Sequence, residues 1–404
     1  MYFFNGNLQM KEISPELEFK LLQRLFFVYA ILIMAWVPRF PEVKANLGLS
    51  NGQFGSLIST AAIGALGSLF LTGHIVHQFG TKIVLQVNAL IMCISYFAIV
   101  ETRSPALFLI FNIAIGWGIY GYHIAINAQA FDAMNRVHGL TITRLHGIWA
   151  LGALTTAVIS GLIVEFVGLS LHVGGLAVIT GVIIFASLNR LTPVMLKANE
   201  DAEEHLPFSS LFLSFKIDWL VSGGLVSAIF LEFATGDWSA IFTKERIGVS
   251  ASLASLPYIL FMATMISGRL GANRITKVLH IHHAVRFLAI TGGAGFLLFL
   301  TIAVQIPSEH KNWALLATCL AFIFAGGGTS LLVPSFLAAG DRRSPLPSAV
   351  VVGQLAFLNN IAIFILKTTI AWVAQFTGSL AIALAIPGAL LISAAYFARA
   401  VKED

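Results

Sequence analysis

The chain has few charged residues for its length, and this lack restricts the class of protein it can be. Only 11% of its 404 residues are Asp, Glu, Lys or Arg, whereas 57% are hydrophobic. An ordinary soluble domain carries roughly 25% charged residues. The mean hydropathy of +0.86 indicates that apolar segments fill most of the chain, and about 20 such residues suffice for one spanning helix. The composition therefore excludes a soluble protein and predicts an integral membrane protein.

Several short motifs are also missing. The two cysteines, Cys93 and Cys319, lie in separate apolar runs with no Cys or His nearby at metal-ligand spacing, so we expect two buried thiols and no metal site. Residues 1–20 lack the apolar core and cleavage site of a secretory signal, so we expect the first span to be a retained signal anchor. No Lys or Ser/Thr follows the triple glycine at 326–328 at the spacing of a phosphate-binding loop. These absences predict a protein that is not an enzyme, binds no cofactor and hydrolyses no ATP.

Apolar runs separated by polar or Gly/Pro-rich breaks predict an all-α protein with twelve transmembrane helices. We place them at 21–40, 51–73, 81–100, 105–130, 141–164, 168–189, 213–235, 251–272, 282–304, 312–336, 347–371 and 377–398. Most breaks are shorter than about ten residues, so consecutive helices are expected to run antiparallel. One long hydrophilic stretch divides the spans six and six. The sequence thus predicts two six-helix bundles, 1–189 and 212–404, joined by a cytoplasmic linker at 190–211.

The distribution of Lys and Arg predicts the orientation in the membrane. With the N-terminus placed in the cytoplasm, most of the 24 Lys and Arg residues fall on inner segments. The seven that fall outside are Arg39, Lys44, Arg103, Lys244, Arg246, Lys311 and Lys367. This positive-inside pattern predicts a multi-pass protein of the cytoplasmic (inner) membrane with both termini in the cytoplasm. It also accounts for the net charge of +5 without a nucleic-acid partner.

Two loops carry a weak internal repeat. GHIVHQFGTK begins at Gly73, after the second span, and GRLGANRITK begins at Gly268, after the eighth. A duplicated six-helix unit would place both segments in equivalent loops. The first copy resembles the G-x-L-x-D-R-x-G-R-K loop of the major facilitator superfamily, although His77 stands at the position of its acidic residue. We therefore expect His77 to alter a latch on the inner side.

Four further segments resemble the fucose permease-like, YbjJ-type branch of that superfamily. They are WVPRFPEVKANLGLS (36–50), INAQ (126–129), RLHGIWALG (144–152) and EFATGDWSA (232–240). The resemblance implies the pseudo-symmetric twelve-helix fold and a sugar-like cargo. The eleventh helix departs from the branch, because Leu366 and Lys367 stand where relatives have a Gly-Pro pair.

Polar residues inside the spans are candidates for the transport path, because such groups are costly in a bilayer unless they face protein or water. In the fourth span, Asn112, Tyr120, His123 and Asn127 lie on one helical stripe, and we expect them to contact a neutral polar solute. Helix-to-helix hydrogen bonding is the alternative.

Two further spans supply the remaining candidates for solute binding. His146 and Trp149 share a face of the fifth span, where the indole is either a floor for a sugar ring or an interfacial anchor. Asn359 and Asn360 interrupt the apolar eleventh span and are expected to line the cavity.

Charged residues near the outer side are candidates for coupling or gating. Glu232 and Asp237 flank a Thr-Gly break that we expect at the outer mouth of the seventh span, where they would bind a cation or a coupling proton. Asp237 would otherwise cap the following segment. Arg39 is expected either to pair with one of these carboxylates or to snorkel. Lys367 would attract an anionic group or snorkel outward.

These features together predict a secondary active transporter. We expect a monomer that moves a small polar solute by alternating access of two bundles around a midplane site, driven by a proton in symport. Two alternatives stay open at this stage. One is a proton-driven exporter of drugs or metabolites with a largely apolar cavity, and the other is a non-transporting membrane sensor on the same fold.

Overall fold

The structure, a computed structural model, describes residues 13–134, 137, 140–192, 194, 218–344 and 348–402. Within these ranges the regular structure is entirely helical, which confirms the prediction of an all-α protein. Most of the predicted linker at 190–211 lies outside the described residues. Of the two cysteines, Cys319 is buried as expected, whereas Cys93 is only half-buried.

In the described part of the chain before the linker there are seven α-helices. They are α1 (Pro15–Met34), α2 (Phe40–Leu47), α3 (Asn51–Ser59), α4 (Ala61–Glu101), α5 (Pro105–Met134), α6 (Ile142–Ile163) and α7 (Gly175–Arg190). Ser14 caps α1 through a hydrogen bond from the Leu17 amide. Ser50 and Gln53 form a capping box at the start of α3, which satisfies amide groups that the first helical turn leaves unpaired.

Nine α-helices follow the linker among the described residues. They are α8 (Trp219–Phe242), α9 (Ala251–Ala254), α10 (Leu256–Leu270), α11 (Ala272–Val278), α12 (Ile281–Gln305), α13 (Lys311–Thr329), α14 (Leu332–Arg343), α15 (Ser348–Thr377) and α16 (Leu380–Phe397). Helices of each half pack mainly on helices of the same half. We call the side of the molecule that carries Ser14 and Lys402 the terminal face, and the side that carries Lys44 and Glu245 the opposite face.

The described residues contain 11 continuous helical segments that are long and apolar enough to cross a membrane. One of them, Asn51–Glu101, has 51 residues and would be roughly 75 Å long if straight, more than twice the hydrocarbon thickness of a bilayer. Its helix is interrupted at Gly80, where φ is 76°, a value that glycine adopts readily. The segment therefore contains the second and third predicted spans, and the chain changes direction at Gly80.

The seventh predicted span differs from the structure at its far end, whereas its first residues, 213–217, lie outside the described residues. Helix α8 continues through the Thr-Gly pair that we expected to break it. The Thr235 hydroxyl donates to the Leu231 carbonyl at 2.7 Å, so this side chain is satisfied inside the helix. The predicted break is therefore wrong, and Glu232 and Asp237 lie on one continuous helix.

Small residues allow α4 and α5 to touch at the backbone. A Cβ added to Gly64 would overlap the Ile113 carbonyl oxygen, and one added to Gly116 would overlap the Ala61 carbonyl oxygen. Such close approach is a common way for helices to associate in a bilayer, where the lipid supplies no hydrophobic drive.

We expect Gly116→Leu to destabilise the folded protein by about 3 kcal/mol or more, because backbone atoms cannot move aside for the new side chain. The yield of monodisperse protein after detergent extraction and its thermal midpoint would measure this effect. Gly327→Leu is the matched control, since a Cβ there meets nothing within 4 Å. Equal losses in both variants would contradict the packing argument.

Candidate functional site

Polar contacts join the two halves at the opposite face. Lys44 on α2 pairs with Glu245 at 2.7 Å, and the lysine is almost completely buried. Glu165, between α6 and α7, accepts the Ser252 amide at 3.0 Å. This hydrogen bond lowers the pKa of the Glu165 carboxyl below its usual range. Each contact links a residue before the linker to one after it, so together they hold this face closed.

Close packing lies beneath these polar contacts. Trp372 donates its indole N–H to Ser56 at 3.0 Å, and Phe54 and Trp238 meet edge to face with ring centroids 6.4 Å apart. A Cβ added to Gly55 would overlap the Ala371 Cβ. The halves therefore approach as closely here as helices inside one bundle do.

A cavity of about 1530 Å³ lies between the halves on the other side of this seal. His146 and Trp149 from α6 form part of one wall, and Arg269 from α10 forms part of the other. The lining continues to His280 and His283, which are exposed, so the cavity reaches the terminal face. Its size suits a small organic solute.

Two ion pairs connect α8 to other helices of the second half. Glu232 pairs with Arg269 at 3.0 Å, and this arginine also donates to the Ser330 carbonyl. Because Arg269 lines the cavity, this pair lies at the cavity wall. Asp237 pairs with Lys367 on α15 at 2.8 Å, and both side chains are nearly buried. Burial of both members of the Asp237–Lys367 pair makes separating these two charges costly.

Aromatic and imidazole side chains of α5 and α6 lie near groups of the second half. The rings of His123 and His146 are 5.7 Å apart between centroids, and His146 also interacts electrostatically with Arg269. Tyr120 on α5 also interacts with the Asn360 side chain on α15. The fourth and fifth spans thus contact groups of the second half.

Comparison with known proteins identifies the family to which this arrangement belongs. The family model described as Major Facilitator Superfamily matches residues 25–367. The chain belongs to the Major Facilitator Superfamily. An uncharacterized MFS-type transporter of Yersinia pestis is 25% identical over 400 residues, covering 98% of this chain and 99% of that one.

Solved structures of this superfamily show the same fold. The structure of a mutant of the nucleoside transporter NupG matches with a TM-score of 0.76 and 14% identity, covering 96% of this chain and 100% of that one. A D-xylose-proton symporter matches with a TM-score of 0.70 and 18% identity, covering 95% and 96% of the two chains. The chain is therefore a multi-pass membrane transporter of the secondary type and not an enzyme.

Within this superfamily fold, several predicted solute contacts have buried polar atoms without a hydrogen-bond partner in the described part of the chain. These atoms are the indole nitrogen of Trp149, the side-chain oxygen of Asn127 and the side-chain oxygen of Asn359. The Asn127 amide nitrogen, by contrast, donates to the His123 carbonyl at 2.8 Å. A buried polar atom usually has a hydrogen-bond partner. For the indole nitrogen of Trp149, the adjacent cavity provides space for such a partner.

Asn112 is placed differently from the other residues of its predicted stripe. It is buried, and its amide donates to the carbonyls of Leu57 and Ile58 at 2.8 and 3.1 Å and to the Thr60 hydroxyl at 3.0 Å. These acceptors lie where α3 ends and α4 begins. Helix-to-helix hydrogen bonding, the alternative to solute contact, therefore describes Asn112 in this structure.

Arg39 was expected to pair with Glu232 or Asp237, or to snorkel, and both expectations are wrong. Its side chain is fully buried, pairs with Glu42 and donates to the Val167 carbonyl at 2.7 Å. Glu42 is closer because it lies three residues further along the same helical segment. Arg39 therefore braces the opposite-face end of the first half rather than linking the halves.

The remaining predicted coupling or gating residues lie in the Asp237–Lys367 pair and on the terminal face. Lys367 does not snorkel, because its ammonium group pairs with Asp237 and lies 5.6 Å from the Phe233 ring. This pairing also shows that Asp237 does not cap the next segment. His77 is exposed on the terminal face three residues before the Gly80 turn, and its role in a latch stays a prediction.

Sequence analysis missed Arg269, Lys44 and Glu245 as site residues. Arg269 was counted only as an inner-side charge, although it lies within an apolar span. An arginine inside a span requires a partner, and this is the signal that would have directed attention to it. Lys44 and Glu245 are 201 positions apart in the chain, and the sequence carries no comparable signal for them.

Proposed function

We propose that this transporter carries a small polar, sugar-like solute across the cytoplasmic membrane by proton-coupled alternating access. The observation that carries the proposal is the cavity between the halves, which is sealed at the opposite face and has the Glu232–Arg269 pair at its wall. A site between two bundles that is open to one side is what alternating access requires.

The sidedness of the proposal rests on the Lys and Arg distribution. An excess of these residues on the terminal face favours its placement in the cytoplasm, with both termini inside. The cavity would then face inward, and the Lys44–Glu245 contact would close the outer side. The reverse state requires this contact and the Trp372–Ser56 hydrogen bond to open while the terminal face closes.

The cavity lining supports a polar solute with hydroxyl groups. Trp149 presents an apolar ring face and an indole nitrogen without a partner in the described residues. Stacking of a sugar-like ring on the indole with one hydroxyl accepting from its N–H would use both features. Two structural neighbours are named for polar cargo, a nucleoside and D-xylose, which agrees with this class.

The proposed coupling step takes place at Glu232. A proton that binds this carboxylate removes its negative charge and releases Arg269 from the ion pair. Arg269 is then available to a solute group in the cavity. Protonation of the site and weakening of the contact between α8 and α10 thus occur in one step. The proposed mechanism needs one copy of the chain, so the transporter acts as a monomer.

Counterflow in proteoliposomes tests this function. Vesicles preloaded with one unlabelled sugar, polyol or nucleoside should transiently accumulate the labelled form if the chain transports it. Counterflow that is specific to a polar solute and insensitive to lipophilic cations supports the proposal. Movement of lipophilic cations instead would indicate an exporter. Ligand-induced thermal stabilisation without any flux would indicate a sensor.

A further inference from the structure

Another cavity, of about 480 Å³, lies between three helices of the second half, α8, α15 and α16. It shares no lining residue with the cavity between the halves. Trp219 and Tyr396 line it and are 73% and 62% exposed, so it opens on the surface that faces the lipid. We call it the lateral groove, and its lining includes Trp219, Ser222, Val226, Ala362, Ser393 and Tyr396.

The lateral groove begins at the terminal face and extends into the membrane. Trp219 is the first residue of α8, and Tyr396 is the residue before the last one of α16. Trp and Tyr are enriched at the level of the lipid headgroups. Ser227, which also lines the groove, lies about 12 Å further along α8 than Trp219. The groove therefore runs from the headgroups to the acyl chains.

One hydroxyl of the lateral groove lacks a hydrogen-bond partner in the part of the chain that the structure describes. The Ser393 hydroxyl donates to the Leu390 carbonyl at 2.7 Å and can accept from the Ser227 hydroxyl at 3.2 Å. The buried Ser222 has no such contact for its hydroxyl oxygen, although a buried hydroxyl usually has one. Ser222 lies one turn deeper than Trp219, about 4.5 Å along the helix. This is the level of the ester groups of a phospholipid.

A cation lies beside the lateral groove. The guanidinium group of the exposed Arg399 lies 4.0 Å from the centroid of the Tyr396 ring. Stacking on a ring leaves the N–H groups at the edge of a guanidinium free to bind phosphate. Asp218, the acid next to Trp219, already pairs with Arg343 at 2.6 Å. Among the described residues Arg399 therefore has no carboxylate partner.

We propose that the lateral groove binds an anionic diacyl phospholipid. The phosphate contacts Arg399, an ester carbonyl accepts from the Ser222 hydroxyl, and an acyl chain lies along the apolar lining toward Ser227. A zwitterionic phospholipid brings a positive group to the same place and gains less from the arginine. The site is separate from the transport cavity, so the inference does not depend on the cargo or the coupling proposed above.

Competition between two phospholipids tests the inference. Transporter purified in a non-ionic detergent is mixed with equal amounts of dioleoylphosphatidylglycerol and dioleoylphosphatidylcholine, and bound lipid is counted by native mass spectrometry. We expect the anionic lipid to be bound roughly fivefold more often, which is the effect of one cation near a membrane surface. Glycerol 3-phosphate, which has the phosphate but no acyl chains, should not compete.

Variants at Arg399 test the contribution of its charge. Arg399→Gln should lower the preference for the anionic lipid to about one, whereas Arg399→Lys should keep most of it. Arg190→Gln is the matched control, because Arg190 is exposed at the end of α7, the last helix of the first half, and does not line the groove. Basic residues anywhere on the terminal face attract anionic lipid, and this control measures that general effect.

A larger side chain tests the groove itself. Val226→Phe fills part of the apolar lining and should lower binding of both phospholipids severalfold. Val182→Phe is the matched control, because Val182 on α7 is 65% exposed and lies outside the groove. Ser222→Ala keeps the fold and removes one hydrogen bond, so it should weaken binding of both lipids by a smaller factor. It serves as the second variant if Val226→Phe does not fold.

Four results would overturn the inference. They are equal binding of the two phospholipids to the native protein, an equal preference in Arg399→Gln and Arg190→Gln, native binding by both Val226→Phe and Ser222→Ala, and displacement of lipid by glycerol 3-phosphate. None of these measurements involves solute or a proton gradient. Failure of the inference can thus be told apart from failure of the proposed transport function.

Discussion

Glu232→Gln is expected to abolish proton-driven accumulation of the solute while exchange of labelled for unlabelled solute continues. Gln has the shape of Glu and can still accept a hydrogen bond from Arg269, which lies 3.0 Å from the native carboxylate. It cannot take up or release a proton. The variant should therefore bind solute and change conformation, but a proton gradient should no longer drive uptake.

The measurement is the ratio of internal to external solute in proteoliposomes under an imposed pH gradient. The ratio should fall from well above one to about one, whereas counterflow without a gradient should stay within a few-fold of the native rate. Glu101→Gln is the matched control, because this carboxylate is exposed at the end of α4 and takes no part in the proposed site. Uphill uptake by Glu232→Gln would exclude this residue as the coupling site.

Gly55→Leu is expected to move the conformational equilibrium toward the state that is open at the opposite face. A Cβ at residue 55 would overlap Ala371 and lie 2.8 Å from the Trp238 ring, and both of these belong to the other half. The clash exists only while this face is sealed. Overpacking costs about 1 to 3 kcal/mol, so the equilibrium should shift by roughly five- to 150-fold.

The shift can be read from the distance between spin labels at Asn46 and Glu309, which are exposed on the opposite face in different halves. Each conformational state gives its own distance between these labels, and the longer distance should dominate in Gly55→Leu. Gly236→Leu on α8 should leave the distribution unchanged, because a Cβ there meets nothing within 4 Å. A native distribution in Gly55→Leu would show that the seal at residue 55 does not hold this face closed.

Hydropathy predicted the helices well because it depends on the local chain. A run of about 20 apolar residues has few stable structures in a bilayer other than a helix, so the spans follow directly from composition. The predicted helix break was wrong where a side chain bonds within its own helix. The Thr-Gly pair at 235–236 stays helical because the Thr235 hydroxyl bonds to the preceding turn, and no local rule demanded a break.

Side-chain partners were harder to predict than helices, since they depend on which distant segments meet. Glu232 was identified as a candidate, but its partner Arg269 lies 37 residues away on the next span. Arg39 has a carboxylate within one turn, and this local choice prevailed over the predicted long-range pair. The cavity likewise gathers residues from several separate elements, a proximity that spacing along the chain does not reveal.

The central claim is that one cavity is exposed alternately to the two faces, and paired distance measurements test it most directly. Spin labels at Asn46 and Glu309 report on the opposite face, and labels at Gln78 and Lys277, exposed in different halves, report on the terminal face. When solute and protons are added in nanodiscs, the first distance should lengthen as the second shortens. Distances that stay fixed, or that lengthen together, while counterflow is intact would contradict the account.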